Sequence, residues 1–155
     1  MPRTARVIVE KGYYHINTRG NQKQKVFAGN EDYQKYLKLL EKYKRRYAFK
    51  LYAFCLMPNH VHLLIKVEEG SMLQKIMQGL SLSYTLYFNI KYEKVGHLWQ
   101  DRFKSKVIQT DKYFLECIAY IEANPVRKNL APTLEAYPWS SSSLRLKNNS
   151  ILDDF

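Results

Sequence analysis

The sequence predicts an α+β domain, an antiparallel four-stranded sheet with two helices packed on one face and a further helix after the last strand. Three observations predict it. Short apolar or alternating runs are interleaved with two long stretches of helical period. The second and third apolar runs are separated only by a tight Pro58-Asn59 connection. The resulting order, β-α-β-β-α-β-α, begins with the split βαβ arrangement.

Each element has its own signal. Gly12-Tyr13-Tyr14-His15-Ile16-Asn17-Thr18-Arg19-Gly20 reads as a strand between two glycine breakers. Asn30-Glu31-Asp32 opens a helix on which Tyr33, Tyr36, Leu37, Leu40, Tyr43 and Tyr47 recur at helical spacing. Its other face carries Lys35, Lys38, Lys42, Lys44 and Arg45. Phe49 to Met57 and His60 to Val67 are the paired strands. Gly70 or Ser71 caps a second helix reaching about Lys91, with Leu73, Ile76, Met77, Leu80, Tyr84, Tyr87 and Phe88 as its apolar stripe. Gly96 to Arg102 is a loop, Phe103 to Gln109 a strand, and Thr110 to Asn124 a helix that Pro125 should stop. The Pro- and Ser-rich remainder shows no further strong element. With no repeat and no linker, residues 1–155 read as one domain with its core at about 12–127 and a tail at 128–155. The first six elements match the ferredoxin-like (RRM-like) order, whose open sheet face is a place to bind single strands.

Composition narrows the function. Lys and Arg number 25 against 14 Asp and Glu, a net charge of +11, and residues 1–50 alone carry +9 from 13 basic and 4 acidic groups. Nucleic acid is the natural partner of such a surface, and 13 tyrosines interleaved with the cations suit unstacked bases. The competing reading makes the tyrosines core filler. No run approaches the roughly 18 apolar residues of a membrane span, and the first residues lack the apolar stretch of a secretory leader. Cys55 and Cys117 each stand alone in apolar surroundings, as reduced core residues of a cytoplasmic protein do.

The most specific motif is Met57-Pro58-Asn59-His60-Val61-His62-Leu63-Leu64-Ile65. On a strand, His60 and His62 share one face while Val61, Leu63 and Ile65 take the other. Two imidazoles side by side can hold one divalent ion, or each can be satisfied by a backbone carbonyl. A histidine-triad hydrolase needs a third His where Leu64 stands. A 2H phosphoesterase needs two separated His-x-Thr/Ser motifs, and a zinc hydrolase needs a third strong ligand, with only His15 and His97 left to supply it. A two-His site completed by oxygen ligands fits Mg²⁺ or Mn²⁺ acting on a phosphodiester.

Four segments, Tyr14-His15-Ile16-Asn17-Thr18-Arg19-Gly20-Asn21, the Met57–Leu64 stretch, Gly96-His97-Leu98-Trp99-Gln100-Asp101-Arg102-Phe103-Lys104-Ser105 and Tyr120-Ile121-Glu122-Ala123-Asn124-Pro125-Val126-Arg127, resemble the REP-associated tyrosine transposases. These are single-tyrosine HUH transposases related to those of single-stranded insertion sequences. The resemblance runs from about residue 12 to Ser141. It implies a DNA endonuclease and strand transferase acting on single-stranded hairpin (REP-like) DNA through a 5′-phosphotyrosine, with Mg²⁺ or Mn²⁺ and no nucleotide cofactor. His60 and His62 fall on the metal-ligand positions and Tyr120 on the nucleophile. Asn124 stands where the insertion-sequence relatives carry a third ligand, a Gln. Monomer and homodimer are both found among such proteins.

Helical geometry agrees with that assignment: residues 120 and 124 share a face, and Phe114, Ile118 and Ile121 form a docking stripe that leaves Tyr120 toward the histidines. Tyr113 and Tyr84 are the next candidates. Arg19, Asn21, Trp99, Arg102 and Lys104, together with Lys42, Lys44 and Arg45 of the first helix, are expected DNA contacts, and Trp139 is expected to pin the tail. Two other functions compete: a non-catalytic single-stranded nucleic-acid-binding module, and a metal-dependent nuclease using water in place of the tyrosine.

Overall fold

A computed structural model describes residues 5–147 and 151–155. Its elements are β1 (Gly12–Arg19), α1 (Asn30–Tyr47), β2 (Lys50–Met57), β3 (His60–Val67), α2 (Met72–Tyr92), β4 (Lys104–Ile108), α3 (Asp111–Arg127) and α4 (Ser141–Leu146), with a 3₁₀ turn at Asn21–Lys23. The strands form one sheet in the order β2-β3-β1-β4, and every neighbouring pair is antiparallel. This is the α+β, ferredoxin-like arrangement that the pattern predicts.

The two sheet faces differ because side chains alternate. Tyr14 and Ile16 on β1 with Val61, Leu63 and Ile65 on β3 are buried beneath α1 and α2, against Tyr36, Leu40, Leu73, Ile76, Met77, Leu80 and Tyr84. Tyr14, Tyr36 and Tyr84 are fully buried, so much of the tyrosine excess fills this layer and does not stack on bases. Tyr14 still satisfies its hydroxyl, which accepts from the Val9 N–H at 2.8 Å and donates to the Val9 carbonyl at 2.7 Å. The first turn of α1 is held by Asp32, whose carboxylate accepts from the Ala28 N–H at 2.8 Å and from the Tyr92 hydroxyl at 2.5 Å. Of the two expected caps of α2, Gly70 and Ser71, it is Ser71 that takes the N-cap position, without a side-chain capping hydrogen bond.

The opposite face is half covered. A register shift between Leu51 and Ala53 on β2 puts consecutive Tyr52 and Ala53 in the same cluster as Cys55, Leu64, Cys117, Ile118 and Ile121. There α3 closes the β2–β3 half of the sheet, while the β1–β4 half stays open. Both cysteines are free and buried.

Two expectations change. Helix α3 continues through Pro125 to Arg127. Proline leaves the Ile121 carbonyl without its usual i+4 donor, and the Asn124 side-chain amide lies 3.4 Å from that oxygen. The tail also has structure. Trp139 accepts at its carbonyl from the Leu56 N–H at 2.8 Å and stacks on Tyr33 at 4.8 Å. Ser141 at the start of α4 donates to buried Glu122 at 2.5 Å. Arg145 bonds both to Glu122 and to the Tyr52 carbonyl. Serine and proline composition hides this clamp, because its energy comes from three side chains and not from a periodic stripe.

Candidate active site

The site grows from the open sheet face at the edge of α3. Strand β3 presents His60 and His62 together, with ring centroids 5.0 Å apart, and both rings are more than nine-tenths buried. Across the sheet, Asn17 pairs with His62 and Arg19 with His60. His15, two residues along β1, reaches diagonally so that its Nε2 lies 3.0 Å from His62 Nδ1. His60 donates from Nδ1 to the Asn59 side-chain oxygen at 2.7 Å. Both Nδ1 atoms are thus engaged by side chains and not by backbone carbonyls. A His62 that keeps its lone pair at Nε2 donates from Nδ1 to His15, so both rings offer Nε2.

Electrostatics favours the neutral imidazoles. Burial, then Arg19 and Lys128, hold His60 down at about 4. Burial, then His60, His15, Arg127 and Arg19, hold His62 at about 3. His15 is also lowered, by burial and then Lys106. Two neutral imidazoles with neutral oxygen donors nearby suit a divalent ion that brings its remaining charge balance from a phosphate. Among the described residues no cluster of three or more His, Cys, Asp or Glu side chains exists to hold one.

These depressed values have a stability consequence. The unfolded chain protonates its histidines near pH 6.5, whereas the folded rings resist until about 4 and 3. Between roughly pH 6.5 and 3 the unfolded state therefore binds more protons, and stability falls as the pH is lowered through that window. The melting temperature of metal-free protein, followed by circular dichroism, should drop across it. The double variant His60→Gln, His62→Gln should show a shallower drop, and an identical slope would contradict the buried neutral pair.

Tyr120 stands over the same rings. Its centroid is 6.0 Å from both His15 and His62, and the residue is 49% exposed. Cys117, Ile118 and Ile121 dock α3 beneath it, while Phe114 packs aside on Tyr13 and Tyr52. Arg127, one of the residues that spacing did not single out, lies over the Tyr120 ring at 4.3 Å. It also donates to Asn124 Oδ1 at 2.9 Å. Asn124 is buried on the same helix, with its amide near the Tyr120 and Ile121 carbonyls. His15, His62, Asn17, Lys106, Glu116 and Tyr120 line one cleft of about 690 Å³. A second, of about 220 Å³, is lined by Asn17, Arg19, Gln100, Arg102 and Lys104.

The other expected contacts fall elsewhere. Asn21 donates from its backbone to the Leu98 carbonyl at 2.7 Å and lines neither cleft. Trp99 is half-buried and lies 6.1 Å from Tyr84, centroid to centroid. Helix α1 packs under the far face of the sheet, so Lys42, Lys44 and Arg45 are not brought to the histidines. Lys44 pairs with Asp153 at 3.0 Å and Arg45 with Glu41 at 2.5 Å. Tyr84 is enclosed in the core, and Tyr113 is exposed on the cleft wall.

An open antiparallel sheet thus bears a histidine pair with a helix-borne tyrosine beside it. Residues 8–124 match the family described as "Transposase IS200 like", and the chain belongs to that family. The chain is also similar to proteins described as REP-associated tyrosine transposases. The Escherichia coli protein of that name is 23% identical over 130 residues, covering 83% of this chain and 74% of its own. A Haemophilus influenzae protein classed with it is 31% identical over 106 residues, 61% of this chain, and the match spans only 60% of that relative. The solved structure of a REP-associated tyrosine transposase bound to a REP hairpin shares the fold, with a TM-score of 0.79 and 20% identity over 100% of this chain and 95% of that one. The resemblance carried by the four motifs is thus upheld. No helix among the described residues is long and apolar enough to cross a membrane.

Proposed function

We propose that the protein cleaves and rejoins single-stranded hairpin DNA through Tyr120. The observation that carries this reading is the half-exposed Tyr120 ring held 6.0 Å from His62 on a docked helix. Tyr120 Oη attacks the scissile phosphorus, the bond to the 3′ oxygen breaks, and a 5′-phosphotyrosine and a free 3′-hydroxyl result. The new ester conserves the energy of the old one, so a 3′-hydroxyl can reverse the step and join new ends without ATP. His60 and His62 would hold Mg²⁺ or Mn²⁺ through Nε2, with Asn124 as an oxygen donor once its Oδ1 leaves Arg127. The bound ion would supply Lewis-acid polarisation of the scissile phosphate. Arg127 puts a fixed positive charge beside the arriving phosphate. A denaturing gel of protein incubated with hairpin DNA and Mn²⁺ tests the reading. A protein band shifted by covalent DNA is expected. Cleavage without a shift would favour a water-using nuclease, and binding alone a non-catalytic module.

Arg19, Arg102 and Lys104, gathered around one cleft, are proposed to carry the strand leading to the tyrosine. Each phosphate they neutralise contributes about 0.7 to the salt slope of single-strand binding. Replacing all three by Ala should lower the slope by about 2. Replacing Lys42, Lys44 and Arg45 should leave it nearly unchanged. Titrating the dissociation constant against salt concentration decides, and the opposite ranking would move the strand to α1.

A further inference from the structure

We infer that Asn17 supplies an oxygen ligand to the divalent ion held by His60 and His62, an inference that rests on the metal-dependent reading above. Asn17 lies directly across from His62 in the β1–β3 register. Side chains so paired on one sheet face begin about 5 Å apart. Its Oδ1 is buried and has no hydrogen-bond partner among the described residues. A buried carbonyl oxygen left unpaired is unfavourable unless something arrives to use it.

The chemistry of the surroundings says what arrives. Asn17 lines both the cleft that holds His62 and Tyr120 and the cleft of Arg19, Arg102 and Lys104, so it stands where the two meet beside the histidines. A carboxamide oxygen is a hard, neutral donor of the kind Mg²⁺ and Mn²⁺ accept beside imidazole. Asn124 is less ready: its Oδ1 already accepts from Arg127 at 2.9 Å, and its amide lies near two carbonyls of α3. Asn17 needs no bond broken before it can coordinate. Because β1 and β3 are adjacent interior strands, three ligands, His60, His62 and Asn17, would stand on rigid backbone and leave α3 free to carry the nucleophile.

Mn²⁺ binding, measured by the loss of the free-ion electron paramagnetic resonance signal, tests this in the Tyr120→Phe background with an uncleaved hairpin oligonucleotide present. Asn17→Ala should weaken Mn²⁺ binding about tenfold or more. Asn17→Asp adds a negative charge to the same oxygen position and should bind Mn²⁺ more tightly than the parent, a gain that a merely structural Asn would not give. If both variants, with parental melting temperatures, bind Mn²⁺ as the parent does while His62→Ala does not, the Asn17 assignment is overturned and the metal reading stands. If Asn17→Ala fails to fold, the Asp variant alone decides. If the parent binds no Mn²⁺, or His62→Ala binds it unchanged, the metal reading falls and takes this inference with it.

Discussion

Tyr120→Phe is expected to abolish both DNA cleavage and the covalent protein–DNA adduct, by a factor of about a thousand or more, as removal of an attacking nucleophile does. The substitution deletes one oxygen from a half-exposed ring. The docking residues of α3, Cys117, Ile118 and Ile121, are untouched, and Arg127 can cover a phenyl face as it covers the phenol. Stability should therefore change by no more than about 1 kcal/mol, the worth of one hydrogen bond. Hairpin affinity should persist, because the cations around the second cleft remain. Loss of chemistry with retained binding is the signature sought by gel and filter assay together. A phosphotyrosine formed by the Phe variant would transfer the role to another tyrosine, with Tyr113 first in line on the cleft wall.

His62→Ala should have the next largest effect. It removes one of the two proposed Nε2 ligands and leaves His15 Nε2 without its 3.0 Å partner. Cleavage should fall by roughly a hundredfold, corresponding to a few kcal/mol of transition-state stabilisation. Unlike the tyrosine variant, it keeps its nucleophile, so raised Mn²⁺ should recover part of the adduct. Chelation of divalent ions should bring the parent protein to a similar rate. Undiminished cleavage by His62→Ala in chelator would remove the ion from the mechanism.

Much of this was legible because it is local. The i, i+2 spacing of His60 and His62 fixes their shared face without knowledge of any partner strand, and the 3.6-residue period places Tyr120 apart from the docking stripe of its helix. What stayed hidden depends on register. His15 is 47 residues from His62, and nothing in either segment announces that their rings meet. Asn17 and Lys106 join the cleft for the same reason. Pro125 was misleading, since its usual penalty is an orphaned carbonyl, and a neighbouring Asn amide lies beside the one it leaves. The basic ridge of α1 shows the limit of charge counting, because composition records how many cations a segment has but not which side of the sheet they occupy.

The clamp of α4 on α3 bears on what would happen between the two halves of the proposed reaction. Glu122 follows Tyr120 by two residues on the same helix and is tied to Ser141 and Arg145, which in turn grips β2. Glu122 is buried but Arg145 is partly exposed, so breaking this pair should cost less than the ~3–5 kcal/mol typical of a fully buried one. The helix is therefore braced from behind like a post against a wall, and a DNA end esterified to it would stay parked above the histidines while the second strand is brought up. Through Ser141 and Arg145, the downstream chain would thereby limit how far a captured end can wander in the proposed reaction.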